Sequence, residues 1–295
     1  MVSLCADVMD HLKVIGEKPC THSLRNIDFI YMINLDERPE KYALALNKLA
    51  PYHIVPYRFS AVNGWELSLE TLNDVGVRFG PWMDDQLWGT CYLPEDEGMA
   101  LHEPMNRVGR NYFSHCMSRG AVGIVLSHLS ILQDAYDAGY KTIWVLEDDI
   151  DILADPTVLC DRIDELDALV GEGEWDILFT DTDTKGNDGK RVYCTSYARR
   201  PNFTPSNVER FRQKTVLNPH FRWVGARYGA YSMLIRRSGM QKLLNFIRKY
   251  QIFLPFDMEY TQPDDIHLYT LLEDVVTTQI KAPSDNGAPN YRNRE

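Results

Sequence analysis

The stretch Thr142-Ile-Trp-Val-Leu-Glu-Asp-Asp149 predicts a buried strand that ends in three adjacent carboxylates. Its first five residues are mostly β-branched, aromatic or aliphatic, the composition of a strand covered on both faces. Side chains alternate across a strand, which sets Glu147 and Asp149 on one side and Asp148 on the other. Acids so placed at the mouth of an α/β sheet suit a hard divalent cation that also carries substrate phosphates. The plain alternative is that they cap a following helix or face water. Three acids at one strand end repel one another without a counter-ion, and this favours the cation.

Strand and helix patterns alternate outward from this point. Before it, Val122, Val125, Leu126, Leu129, Leu132 and Tyr136 recur at helical spacing along one apolar face, and Gly139 ends that helix. His128 falls at the edge of the apolar arc and Ser127 well off it; a lone histidine there is more often a packing residue than a functional one. After it, residues 175–180 read as a strand ending in Asp181-Thr-Asp183, and residues 228–235 as another. Ser238 is placed to cap a helix that turns Met240, Leu243, Leu244 and Ile247 inward. A final helix is expected over residues 265–273 and an extended piece over 275–280.

Towards the N-terminus, residues 28–34 read as a first buried strand, and Pro39 suits the first turn of a helix running to about Ala50. A strand, a short polar turn and a helix start form a common phosphate cradle, although no Gly-x-Gly-x-x-Gly supports a dinucleotide fold. A short strand is expected at residues 53–55, between Pro51 and Pro56. Residues 65–119 show little periodicity and read as an irregular excursion over the top of the sheet. The alternation predicts an α/β fold with a mostly parallel sheet covered by helices on both faces. The chain reads as a single domain, residues 1–295, with its core at about 28–281. Residues 1–25 form an N-terminal extension and 283–295 a loose polar tail.

With 295 residues, 44% hydrophobic and 25% charged, the chain has enough apolar side chain for a real core. No stretch approaches the length of a membrane span. Asp7, Asp10, His11, Lys13, Glu17 and Lys18 exclude the apolar part of a secretory signal from residues 1–25. Cysteines 5, 20, 91, 116, 160 and 194 form no C-x-x-C pair, which argues against zinc and fits free thiols in a reducing, cytoplasmic setting. The net charge of −11 disfavours nucleic acid as a partner. Between Lys185 and Arg237, however, twelve Lys or Arg face only Asp188 and Glu209, a balance of +10 that leaves −21 elsewhere. This basic, aromatic segment either holds an anion such as a diphosphate or phosphorylated glycan, or balances acidic neighbours.

Several segments, taken in order, resemble glycosyltransferase family 25, the enzymes of lipooligosaccharide and lipopolysaccharide biosynthesis and their relatives that galactosylate collagen. They are Ile33-Asn-Leu-Asp-Glu-Arg-Pro-Glu-Lys41, Phe59-Ser-Ala-Val-Asn-Gly64, Gly123-Ile-Val-Leu-Ser-His128, Val145-Leu-Glu-Asp-Asp149, Gly229-Ala-Tyr with Arg237-Ser-Gly-Met-Gln-Lys-Leu-Leu244, and Leu254-Pro-Phe-Asp257. The resemblance implies a GT-A-type (Rossmann-like) fold and a UDP-sugar donor, with galactose or glucose as the favoured hexose. It also implies a divalent metal (Mn2+ or Mg2+) and inversion at the anomeric carbon. The acceptor is expected to be a glycan, a lipid-linked saccharide or a protein. A lipid-linked acceptor would place the chain at the inner membrane surface, although no amphipathic basic helix announces this.

By position, the resemblance puts Asn34, Leu35 and Arg38 at the nucleotide end of the cleft, with Ser127, His128, Glu147, Asp148 and Gly229 also at the donor. Asp149 is expected on the metal, with Glu147 or Asp148 on ribose or a bound water. Asp257 matches the acid of the family's Pro-x-Asp motif and is the first choice for the general base that an inverting reaction needs, with Asp181 and Asp183 as rivals. Asp181-Thr-Asp183 also departs from the family pattern: it is itself a literal D-x-D, and Asp183 is the competing metal ligand. Two other classes stay open. A sugar nucleotidyltransferase would want a Gly-rich basic loop where Leu-Asp-Glu-Arg-Pro stands, and a non-catalytic glycan- or partner-binding member would more readily have lost an acid.

Overall fold

The computed structural model describes residues 7–96, 99–186, 188–280, 285–287 and 291–293. The central sheet contains β1 (Phe29–Asn34), β2 (Tyr57–Ser60), β3 (Thr142–Glu147), β4 (Ile177–Phe179), β5 (Lys214–Val216), β6 (Phe221–Val224), β7 (Ser232–Arg236) and β8 (Leu268–Leu271). Their spatial order is β5-β6-β8-β4-β7-β3-β1-β2. β3 lies deep inside, parallel to β1 and antiparallel to β7. Ile143 and Val145 enter the core on one face while Trp144 and Leu146 enter the core on the other, as the strand period requires. The one polar side-chain atom of residues 143–146, Trp144 Nε1, donates to Ser232 Oγ at 3.0 Å.

Among the described residues six α-helices accompany the sheet: α1 (Pro39–Leu49), α2 (Leu69–Val75), α3 (Arg119–Asp137), α4 (Val158–Val170), α5 (Arg237–Tyr250) and α6 (Phe256–Glu259). α3 and α5 bury Val122, Val125, Leu129, Leu243 and Ile247 on the Ile143 face. α1 and α4 close the opposite face with Ala45, Leu49, Leu159, Ile163 and Leu166. α3 begins where Ser118 Oγ accepts from the Ala121 N–H at 3.0 Å. It stops just before Gly139, whose φ of +78° ends the helix without strain.

Several elements differ from expectation. The sheet is mixed, not mostly parallel: three neighbouring pairs are parallel and four antiparallel. β5 and β6 are joined by a short turn that only an antiparallel pair allows, and β7 runs against both of its neighbours. The strand expected at residues 53–55 is instead β2, because His53 turns left-handed (φ +56°) and interrupts the extended run. Residues 268–271 form strand β8 rather than part of a helix; all four are buried, which leaves no polar face for a surface helix. The strands at 177–179 and 232–236 are shorter than or shifted from the expected 175–180 and 228–235. α5 starts at Arg237, so Ser238 lies inside its first turn instead of capping it, and α4 carries Leu159, Ile163 and Leu166 at a helical spacing that the sequence reading passed over.

Residues 65–119 are not irregular. They hold α2 and the strands Val77–Arg78, Trp88–Tyr92, Ala100–Pro104 and Asn111–Ser114 of a second sheet. Strands this short show no readable period. Tyr291–Asn293 adds a fifth strand to that sheet, so this part of the expected loose tail is paired. Residues 283, 284, 288–290, 294 and 295 lie outside the described residues. Among the described residues, no helix is long and apolar enough to cross a membrane.

The loop after β2 meets α3 backbone to backbone through two glycines. A Cβ on Gly64 would lie 1.8 Å from the Arg119 carbonyl oxygen, and one on Gly123 would lie 2.4 Å from that of Val62. Gly123→Ala should therefore force loop and helix apart and cost ~1–3 kcal/mol. Urea denaturation followed by circular dichroism reads this, and a midpoint equal to that of the parent would contradict the contact.

Candidate functional site

β1 and β3 run parallel with Ile33 opposite Glu147, so their carboxyl ends open at the same edge of the sheet. Open α/β sheets bind ligands outside such ends. The cleft there is lined by Asn34, Leu35, Ser127, His128, Glu147, Asp148 and Asp149, together with Lys41, Trp65 and Asp285. Seven residues from three distant segments, named from sequence alone, thus share one cavity wall.

Asn34 is buried and fully engaged: its amide donates to Asp148 Oδ2 at 2.7 Å and to the Arg38 carbonyl at 2.8 Å. Its Oδ1 accepts from Arg58 Nε at 2.7 Å. The side chain joins the end of β1 to the acidic turn and to the start of α1. Strand alternation does not carry through the triplet, because β3 stops at Glu147 and Asp148-Asp149 form a turn into the short strand Ile150–Ile152. That strand pairs with Val276–Thr278, and Thr278 Oγ1 donates to Asp149 Oδ1 at 3.1 Å. The turn, not the pleat, brings all three acids to the cleft.

Ser127 has a structural bond set: its Oγ donates to the Gly123 carbonyl at 2.8 Å and accepts from the Val62 N–H at 2.8 Å. His128 is stacked on Phe256, with ring centroids 4.0 Å apart and planes 8° from parallel. Its Nε2 lies 3.4 Å from Glu147 Oε1. Burial pushes the imidazole down to about 3, so it is neutral at physiological pH. Burial, then the charges of Asp148 and Asp257, push Glu147 up to about 7. Burial and Glu147 push Asp149 up to about 6. Asp148 is also raised, mainly by burial. Carboxyls held this high by burial, and further by one another, gain most from a nearby cation.

Asp257 stands at the start of α6, where burial raises its carboxyl and the Gly229 N–H donates to Oδ2 at 3.2 Å. Gly229 has φ +85°, and a Cβ there would come within 2.6 Å of Thr184 Oγ1 and of the Tyr231 ring. Only glycine fits, and its conformation points the amide at Asp257. Glu147, Gly229, Phe256 and Asp257 line a second cavity, which shares Glu147 with the first.

The rival aspartates lie elsewhere. Asp181 is fully buried: it accepts from Arg227 at 2.8 Å, Tyr231 Oη at 2.5 Å and Thr277 Oγ1 at 2.8 Å. Asp183 is paired with Arg222 at 2.7 Å and lies 3.6 Å from Lys214. Neither lines the cleft around Glu147. Much of the basic segment is spent the same way, through Lys185–Asp274, Arg200–Glu259, Arg222–Asp183, Arg227–Asp181 and Arg236–Asp167. Of its two expected roles, the structure displays the balancing of acidic neighbours.

Arg38 lies at the rim rather than in the wall, bonded through Nε to Asp285 at 2.9 Å. Lys41, three residues on along α1, meets the other oxygen of Asp285 and reaches the cleft. The sequence reading missed Lys41, although its spacing from Arg38 puts both on one helix face. Among the described residues, no three His, Cys, Asp or Glu side chains converge as a ready-made metal shell. The oxygen donors Asp148 and Asp149 fit a hard cation whose remaining ligands come from substrate phosphates and water, as Mg2+ sites commonly do.

Residues 27–260 match the pattern of Glycosyltransferase family 25 (LPS biosynthesis protein). A Glycosyltransferase 25 family member of Drosophila melanogaster is 31% identical over 143 residues, 48% of this chain and 19% of the fly protein. One of Aedes aegypti is 28% identical over 153 residues, 52% of this chain and 21% of its own. The Inactive glycosyltransferase 25 family member 3 of Mus musculus is 25% identical over 165 residues, 56% of this chain and 24% of the mouse protein. The chain spans about a fifth to a quarter of the length of these relatives.

The raised carboxyls make stability depend on pH. A group whose folded value lies above its unfolded one binds the proton more tightly when folded, so stability falls as pH rises between the two values. For Glu147 the window runs from 4.5 to about 7 and for Asp149 from 3.8 to about 6. The metal-free melting temperature should fall between pH 5 and pH 7.5, and Glu147→Gln should flatten that fall. A slope unchanged by the substitution would show that Glu147 does not carry it.

Proposed function

This chain belongs to glycosyltransferase family 25, and from that premise we propose that it transfers a hexose, galactose or glucose, from a UDP-sugar to an acceptor hydroxyl with inversion, in a metal-dependent GT-A-type site. The observation that carries the reading is the convergence of Asn34, Leu35, Ser127, His128 and the Glu147–Asp149 acids on one cleft, joined through Glu147 to the cavity that holds Asp257. In this reading Asn34 and Leu35 meet the nucleoside, while Arg38 and Lys41 face the diphosphate. Asp149 leads in holding the cation, with Asp148 or Glu147 beside it. A divalent ion held there, Mn2+ or Mg2+, would neutralise charge on the departing diphosphate as a Lewis acid.

Asp257 is the general base. Its buried carboxylate takes the proton of the acceptor hydroxyl, the acceptor oxygen bonds to the anomeric carbon, and the bond to UDP breaks with its electron pair on the diphosphate. Attack from the face opposite the leaving group inverts the centre. Neutral His128, stacked on Phe256, holds Glu147 in place without adding a positive charge. Asp181 and Asp183, neutralised by internal arginines, take no part. The five described cysteines are free, in keeping with a reducing cytoplasmic setting. A lipid-linked acceptor would bring the chain to the inner membrane surface. The mouse relative named inactive makes a non-catalytic glycan- or partner-binding member the second reading, and the presence of all three acids at 147–149 speaks for turnover.

Thermal-shift titration with UDP and manganese, followed by turnover of UDP-galactose and UDP-glucose, tests this. Asp149→Asn should abolish manganese-dependent stabilisation by UDP. Asp183→Asn should lower stability by unpairing Arg222, yet leave that response intact. Asp257→Asn should slow turnover by ~10²–10⁴ with UDP affinity nearly unchanged. A manganese response lost in Asp183→Asn and kept in Asp149→Asn would move the site away from the triplet.

A further inference from the structure

Asp257 also lines a third cavity, which shares no lining residue with the cleft around Asp149. One wall comes from the second sheet and the segment after it, with Trp88, Ser114 and Cys116; the other comes from Tyr197, Arg199 and Tyr228. Trp88 is 51% exposed although it sits on a regular strand, and its ring lies 5.2 Å from that of His102. Tyr197 is backed by Phe211, with centroids 5.3 Å apart, so its ring is braced from behind. Its polar groups include the hydroxyls of Ser114, Ser196 and Thr261, the Arg227 guanidinium, and that of Arg199, pinned by Asp84. Among the described residues, Asp257 is the only acid in the lining.

We infer that this cavity is the acceptor subsite and that its occupant is a pyranose ring of a glycan, lying against the face of Trp88 with one hydroxyl directed to Asp257. The inference rests on the proposed role of Asp257 as base and adds the acceptor's chemical class and the residue that selects it. A pyranose presents an apolar C–H face and a polar edge. A large, rigid aromatic face that is apolar in body suits the first, and a few hydroxyls with the two pinned guanidiniums suit the second. A cationic peptide would meet Arg199 and Arg227 with only Asp257 to attract it.

The test uses the whole chain with the methyl glycosides of galactose, glucose and N-acetylglucosamine as probes, read by saturation-transfer NMR. UDP with manganese is titrated in parallel. Half-exposed Trp88 can be replaced without emptying the core. Trp88→Ala should weaken glycoside binding at least tenfold and leave UDP affinity within twofold, and Trp88→Phe, which keeps a flat ring, should recover most of the loss. Glycoside binding that survives Trp88→Ala overturns the inference, as does a protein that binds UDP but none of the glycosides. Preferential binding of a serine- or threonine-bearing peptide overturns the assigned class. If UDP fails to bind while the glycosides bind through Trp88, the donor-site reading falls and the glycan subsite stands; if neither binds, both fall.

Discussion

Burial of β3 on both faces is the constraint on which the site depends. A strand with Ile143 and Val145 in one core and Trp144 and Leu146 in the other cannot slide by one residue without moving every side chain to the wrong face. Its end is therefore fixed, and Glu147, Asp148 and Asp149 must emerge beside the end of β1. Asn34 makes use of that fixity, tying strand, turn and helix start with one amide.

The chain treats its two acidic clusters in opposite ways. Asp181 and Asp183 are matched to Arg227, Arg222 and Lys214, which cancels their charge inside the protein. The triplet at 147–149 is left mutually repelled and raised towards neutrality. Arginines are thus spent on the pair at 181 and 183, while the triplet shows no arginine partner among the described residues. As carboxylates at strand ends the pair and the triplet look alike in sequence; their partners separate them.

The shared wall of the cleft was legible because its residues lie in contiguous segments: Asn34 ends β1 and Leu35 follows it, Ser127 and His128 share one helix turn, and the triplet lies at the end of β3. Other features depend on contacts that no local pattern carries. The Arg227–Asp181 pair joins residues 46 apart. β8 was misread because four buried residues suit a strand or a helix alike until their neighbours are known. The second sheet was invisible because strands of two to five residues are too short to show a period. Lys41 was passed over although its helical offset from Arg38 was there to be seen.

Asp285 occupies the position of an internal counter-anion, with one oxygen on Arg38 and the other on Lys41. Any phosphate that approaches these two cations enters by exchange, giving up an existing carboxylate pairing for its own. The net electrostatic gain is the difference between two ion-pair sets, smaller than that of bare cations meeting an anion. Affinity at this end of the cleft is thereby buffered against ionic strength, since added salt weakens the resident pair and the incoming one together.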